Sequence, residues 1–266
     1  MEIHELRKNP HLSASSINSY LECGLQYRFS RIDKIKPAFT ADALVYGSTI
    51  HKAIEFVQTN RLFGDTTSVE EAIAFFEKHW RESAEDKAYI QYRKGASFTS
   101  LLNQGKKLMD VYVTNFPDNG YDVLALEEPF QLNLDGVDIP IIGVMDMVEQ
   151  DDTGTIIITD HKTAARAFST DEVDKNFQLT VYHMAALNNG YAGRDIVMKF
   201  DCLIKTKIPR FEQVYTVRSE EAEQRAVKKI KSVWDGICKG VFIPNDNSWR
   251  CSTCSYKEHC EKWHEN

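Results

Sequence analysis

The sequence predicts an α/β protein in which a mixed sheet is flanked by helices. Apolar side chains recur at helical spacing through the first half, as in Ala53, Ile54 and Val57 or Leu101, Leu102, Leu108 and Val111. From Tyr121 the character changes. The segments VLALEEPFQLNL, VDIPIIGVMDMVEQ and TIIITDHKT are short, β-branched or alternating, and they are parted by the turn chemistry of LDG and DDTG. Helical and strand patterns then interleave to the end of the chain.

Taken in order, the serines around residues 13–16 offer a cap for a helix that runs to about Cys23. Helices are expected over 41–60, 68–84 and 98–116, then a three-strand meander. One helix over 172–189 follows, then strands in VMKFDCLIKTK and FEQVYTV, and a charged helix over 219–239. One domain spanning 1–266 is expected, with a helical part at 13–118, a sheet core at 121–217, and a C-terminal helix with a cysteine cluster at 218–266.

Composition narrows the function classes. With 266 residues, 42% hydrophobic and 27% charged, the chain can bury a core, and 13 Gly and 7 Pro exclude a collagenous or low-complexity chain. No apolar run nears the ~20 residues that span a bilayer, and the opening MEIHELRKNPHL lacks a signal-like apolar stretch. A soluble, cytoplasmic protein without a membrane partner is expected. The net charge of -7 argues against coating nucleic acid by bulk charge, while leaving room for a local basic path.

The segment IIGVMDMVEQDDTGTIIITDHKT carries the chemistry. A turn centred on Thr153 sets Asp146 opposite Asp160 across a hairpin, where partners lie ~5 Å apart at Cβ and like charges need compensation. A divalent cation supplies it, and hard oxygen donors suit Mg²⁺ or Mn²⁺ better than zinc. Lys162 lies two residues beyond Asp160, on the same strand face, placed to orient or deprotonate an attacking water. Phosphodiester hydrolysis fits this set. The competing reading is a solvated strand exit unrelated to Asp146.

These residues resemble the PD-(D/E)XK nuclease superfamily, in particular its RecB-type and CRISPR-associated four-cysteine exonucleases. The likeness spans nearly the whole chain and implies a restriction-endonuclease-like core. It also implies metal ligation by His51 in GSTIHKAIE, Asp146 in GVMD, Asp160 and the His161 carbonyl in DHK, with Lys162 catalytic. Gln178 and Tyr182 in QLTVY match the family's Gln-x3-Tyr element and would hold DNA or the catalytic lysine; their i, i+4 spacing puts both on one helical face. Glu127 and Glu128 are both candidates for a further acid. The implied activity is a Mg²⁺- or Mn²⁺-dependent DNA exonuclease acting on single-stranded or resected ends in repair, recombination or phage or CRISPR processing. The implied setting is a bacterial or phage-infected cell or another reducing intracellular compartment, and a helicase or recombination protein is the implied partner. A non-catalytic DNA-processing adaptor is the alternative.

Six cysteines are present, three of them in CSTCSYKEHC. A chain of this size without a secretory segment points to metal or iron-sulfur chemistry rather than disulfides. The resemblance implies that Cys23 joins Cys251, Cys254 and Cys260 around a [4Fe-4S] cluster. The local alternative is zinc on Cys251, Cys254, Cys260 and His264. Cys202 and Cys238 are expected to be small buried hydrophobes. For DNA, the basic stretch 205–231 offers Lys205, Lys207, Arg210, Arg218, Arg225, Lys228, Lys229 and Lys231, of which Lys205 is the specific candidate.

Overall fold

A computed structural model describes residues 2–263. The chain opens with α1 (Ile3–Leu6), α2 (Ala14–Glu22) and α3 (Gly24–Tyr27), the last running into a π-helical turn over Arg28–Ile32. A two-residue parallel pair, β1 (Thr40–Ala41) with β2 (Ile90–Gln91), brackets α4 (Asp42–Leu62) and α5 (Val69–Ala84), and α6 (Phe98–Asn115) follows. Serine starts three of these helices, α2, α5 and α6: Ser13, Ser68 and Ser97 each accept the amide three residues on, and the side chain found there returns the bond.

The main sheet then forms from β3 (Asp122–Leu132), β4 (Ile141–Gln150), β5 (Ile156–Ala164), β6 (Ile196–Ile204) and β7 (Arg210–Thr216), in that spatial order. Within it only β5 and β6 are parallel, joined by a crossover through α7 (Thr170–Asp174) and α8 (Phe177–Asn188). The long α9 (Glu220–Cys238) and the short α10 (Lys257–Glu261) complete the fold. The mixed sheet with helices on both faces is the predicted architecture. Ile156, Ile158, Met198 and Phe200 pack with α2, α8 and α9, whereas Leu203, of opposite parity, joins the apolar cluster of α4, α5 and α6.

The helix expected over 172–189 is two helices. Asn176 is extended (φ -68°, ψ 118°) and its side chain accepts from the Leu179 amide at 3.0 Å, which ends one helix and caps the next. The guanidinium of Arg218 closes the break by donating to the carbonyls of Val173 and Asn176 at 2.9 and 3.3 Å.

One irregularity of the sheet positions the site. Pairing between β4 and β5 stops at Met147 and Thr159, while β5 stays paired with β6 through Ala164. The two strands fork beyond that rung. At the far end of β4, Leu12 takes the open edge: its amide donates to Pro140 O and its carbonyl accepts from the Ile142 amide, both at 2.9 Å.

Candidate active site

The fork brings the acids together. The observed rungs Met147–Thr159 and Val148–Ile158 share the centre expected at Thr153, so Asp146 and Asp160 fall at the first unpaired position. There Asp146 Oδ2 replaces a backbone acceptor and takes the His161 amide at 2.8 Å. The register follows from local turn chemistry: Asp151 Oδ1 accepts from the amides of Thr153 and Thr155 at 3.0 and 2.9 Å, with Gly154 at φ 89°.

Alternation along β5 sends Asp160 and Lys162 toward α8 and His161 toward α6. Lys162 Nζ lies 2.5 Å from Asp160 Oδ2 and donates to Gln178 Oε1 at 3.1 Å. Gln178 Nε2 faces Asp160 Oδ1 at 3.3 Å and Tyr182 Oη at 2.6 Å. Because an ammonium only donates, the Gln178 oxygen must face Lys162 and its nitrogen the acid. The pair expected to share a helical face therefore forms a brace for Asp160 and Lys162.

His51, on α4, reaches the same point from the other side, with Nδ1 at 3.5 Å from Asp146 Oδ2. Burial lowers its pKa below the ordinary imidazole value, against the pull of Asp160, so the ring is neutral with a lone pair available. The His161 carbonyl is turned toward that ring, while the His161 imidazole is buried beside Tyr112, 3.9 Å from Asp201. His161 thus meets the acid cluster through its main chain. Burial, and then the Asp160 charge, push the Asp146 carboxyl well above the usual range, and the same two causes raise Tyr182.

The structure separates Glu127 from Glu128. Strand register sets Glu127 opposite Asp146, in a left-handed conformation (φ 48°) that turns it out of the ladder. It keeps solvent contact, yet surrounding protein mass and the neighbouring Glu55 lift its pKa to about 7, and its charge acts on Asp146 and Tyr182. Glu128 acts instead on Tyr191. Two adjacent acids before a proline carried no local signal of this turn.

The donor set suits a hard divalent ion. Asp160 is 1% exposed, with its Oδ2 held only by the Lys162 ammonium, beside a second buried carboxylate and a neutral imidazole. Among the described residues no three His, Cys, Asp or Glu side chains stand in a ready-made metal-holding arrangement, and the Lys162 ammonium closes on Asp160.

Lys205 is elsewhere. It sits over the Tyr46 ring at 5.6 Å, near Arg93 and Asp42 at the start of α4, and burial lowers its pKa. Arg218 is spent on the helix break, and Lys228 and Lys231 border a surface hollow with Glu220 and Glu223. These four members of the basic stretch thus have three different surroundings.

At the chain ends, Cys23, Cys251, Cys254 and Cys260 border one small cavity of about 180 Å³ beside Leu25, Phe29 and Tyr256. Burial raises the Cys254 and Cys260 thiols, and Cys23 acts on both. His264 lies outside the described residues. Cys202 is buried as expected. Cys238 is exposed, a correction: it is the last residue of α9, whose buried face carries Ala226, Ile230 and Val233.

The model of the PD-(D/E)XK nuclease superfamily matches residues 11–261. The chain belongs to that superfamily. This PD-(D/E)XK chain is 25% identical to the Gene 69 protein of Mycobacterium phage D29 over 279 residues, covering 95% of the chain and 97% of that protein. It is also 27% identical over 196 residues to a component of the ATP-dependent helicase/deoxyribonuclease of Streptococcus uberis, covering 70% of the chain but 17% of that protein. In fold, the PD-(D/E)XK chain is similar to a crystal structure described as a candidate exonuclease from Eubacterium rectale, with TM-score 0.55, 12% identity, and 91% and 87% of the two chains covered. Among the described residues no helix is long and apolar enough to cross a membrane.

Proposed function

We propose that this PD-(D/E)XK nuclease is a Mg²⁺- or Mn²⁺-dependent DNA exonuclease acting on single-stranded or resected ends during repair, recombination, or phage or CRISPR DNA processing. The carrying observation is the fork itself, which holds Asp146, Asp160 and Lys162 at one point. Asp146, Asp160, His51 and the His161 carbonyl are the residues that would hold the ion. When bound, the ion offsets charge on the phosphate and makes water a better nucleophile at neutral pH. Lys162 Nζ orients the attacking water or exchanges its proton, and Gln178 fixes Nζ and Asp160 together. Tyr182, kept neutral by burial and the two acids, holds Gln178. The Streptococcus uberis relative carries helicase in its name, which supports a helicase partner.

Digestion of end-labelled single- and double-stranded DNA with Mn²⁺ tests this reading. Wild type should release short products only with metal, and Asp160→Ala and Lys162→Ala should be slower by roughly 10²-fold or more. No cleavage by clean wild type would leave a non-catalytic DNA-processing adaptor.

The cysteine cavity supports a structural [4Fe-4S] cluster, because Cys23 stands with the C-terminal three. Wild type purified without oxygen should contain iron, and Cys23→Ser should lose it. Zinc without iron in wild type, unchanged in Cys23→Ser, would assign the site to zinc.

A further inference from the structure

The fork leaves a wedge between β4 and the helix α8, closed at its far end by the segment that pairs Leu12 with Ile141. A cavity of about 600 Å³ fills it, within the ~300–1,000 Å³ range of small-ligand sites. Gln178 and Tyr182, the brace of Asp160 and Lys162, form one wall, and Ile142, Gly143 and Val144 of β4 form another. A Cβ on Gly143 would stand 2.5 Å from the Phe130 ring, so glycine leaves room for that ring against β4. The remaining wall comes from the N-terminal segment: Arg7, His11, Ser13, Ser15 and Arg31.

The charge of this wall is unusual for the chain. The protein carries -7 overall, yet among the described residues no carboxylate lines the cavity, while two guanidinium groups do. Arg7 and Arg31 are exposed and form no ion pair among the described residues, in contrast with Arg28, Arg61, Arg81 and Arg166. Arg7 acts at a distance on Glu127, which ties the wall electrostatically to the acid cluster. The first turn of α2 borders the same space, so the positive end of that helix adds to the sign. His11 Nδ1 faces Asn9 O at 2.7 Å; a carbonyl only accepts, so Nδ1 is the donor of that bond.

We propose that this wedge is a phosphate-binding groove, in which Arg7 and Arg31 hold the nucleic-acid backbone on one side of the scissile bond. The assignment rests on the nuclease reading above and adds the direction in which the strand leaves the acids: along β4 toward the N-terminal segment, past Gln178 and Tyr182. Paired guanidinium groups with adjacent hydroxyls are the donors that phosphate oxygens accept from, and they fix position without reading sequence.

The test is binding of a fluorescent single-stranded oligonucleotide in EDTA, followed by anisotropy across a salt series. Arg7→Glu and Arg31→Glu are each compared with Lys78→Glu, which makes the same charge change on the exposed face of α5. Each arginine variant should bind about fivefold more weakly or worse at 0.1 M salt, and lower the slope of log affinity against log salt by about 0.7 per lost contact. Both side chains are exposed, and thermal melts confirm that the variants fold. Competition with circular single strands and with linear strands bearing a 5′-phosphate or a 5′-hydroxyl separates the two sources of the ligand. Equal loss on circles assigns internal phosphodiesters; loss confined to the 5′-phosphorylated strand assigns the terminal phosphate. Arginine variants that bind as Lys78→Glu does, while wild type binds and cuts, would overturn the groove and leave the nuclease reading intact. Wild type that neither binds nor cuts would overturn both.

Discussion

Asp146→Asn should lower cleavage by roughly 10³-fold or more, equivalent to about 4 kcal/mol of transition-state stabilisation, and in EDTA should leave the protein at least as stable as wild type. The two halves of this result have one cause. Asp146 is buried against Asp160, and that environment favours its protonated form. A carboxyl whose folded pKa is raised costs nothing below its unfolded pKa and progressively destabilises the fold as pH rises through the folded one. Metal-free wild type should therefore lose stability from acid toward pH 8, and Asn, always neutral, should not show that component. The Asn oxygen still accepts the His161 amide that Asp146 takes at 2.8 Å, so the fork keeps its hydrogen bond. Mn²⁺ should raise the melting temperature of wild type and leave the variant where it was. Cleavage within tenfold of wild type, or a markedly lower melting point in EDTA, would show that Asp146 serves the fold and not the metal.

The largest loss of stability is expected from Lys199→Ala. Lys199 is fully buried on the sheet face opposite Lys162, with Nζ 3.0 Å from Glu149 Oε2 and 3.7 Å from Asp201 Oδ1. Arg61 reaches the other Glu149 oxygen at 2.8 Å, and Gln213 donates to Asp201 at 2.9 Å. Two cations thus balance two carboxylates in a layer that also holds the His161 ring. Burial acts to lower the Lys199 pKa, but Asp201 and Glu149 outweigh it and keep the ammonium charged. Its removal leaves Asp201 and half of Glu149 without compensation, a loss of about 3–5 kcal/mol and a drop in melting temperature on the order of 10 °C. Burial already lifts Asp201 to about 6 despite Lys199. Without the lysine its proton is held more tightly, so the deficit should be smallest near pH 5 and grow toward pH 8. Melts at both pH values check this; a small deficit equal at both would mean that water, not Lys199, compensates the layer. Lys199→Met, which keeps the volume, separates charge from packing.

What was legible in the sequence was local. The turn at 151–155 is written in Asp151, Thr153 and Gly154, and with its centre known the meeting of Asp146 and Asp160 follows. Gln178 and Tyr182 were legible as one helical face because four residues make about one turn. What was not legible depends on distant parts of the chain. Nothing near Glu127 announces its left-handed backbone, and nothing in HLSAS announces that Leu12 will pair with Ile141. Within the basic stretch the sequence did not tell that Arg218 belongs to a helix break or that Lys205 lies over the Tyr46 ring, since charge alone does not say what a long side chain finds. A signal for the polar layer was present: Lys199 and Asp201 stand between apolar neighbours in β6, Glu149 follows Met147 and Val148 in β4, and buried charges come in sets.

The cavity bordered by Cys23 and by Cys251, Cys254 and Cys260 has walls 228 residues apart in the chain. At about 5–20 residues per second, Cys23 leaves the ribosome roughly 10–50 s before its partners. The cavity therefore has all four cysteines only after every strand of the sheet has been translated. A ligand that needs all four cysteines can bind only after Asp146, Asp160 and Lys162 have been translated.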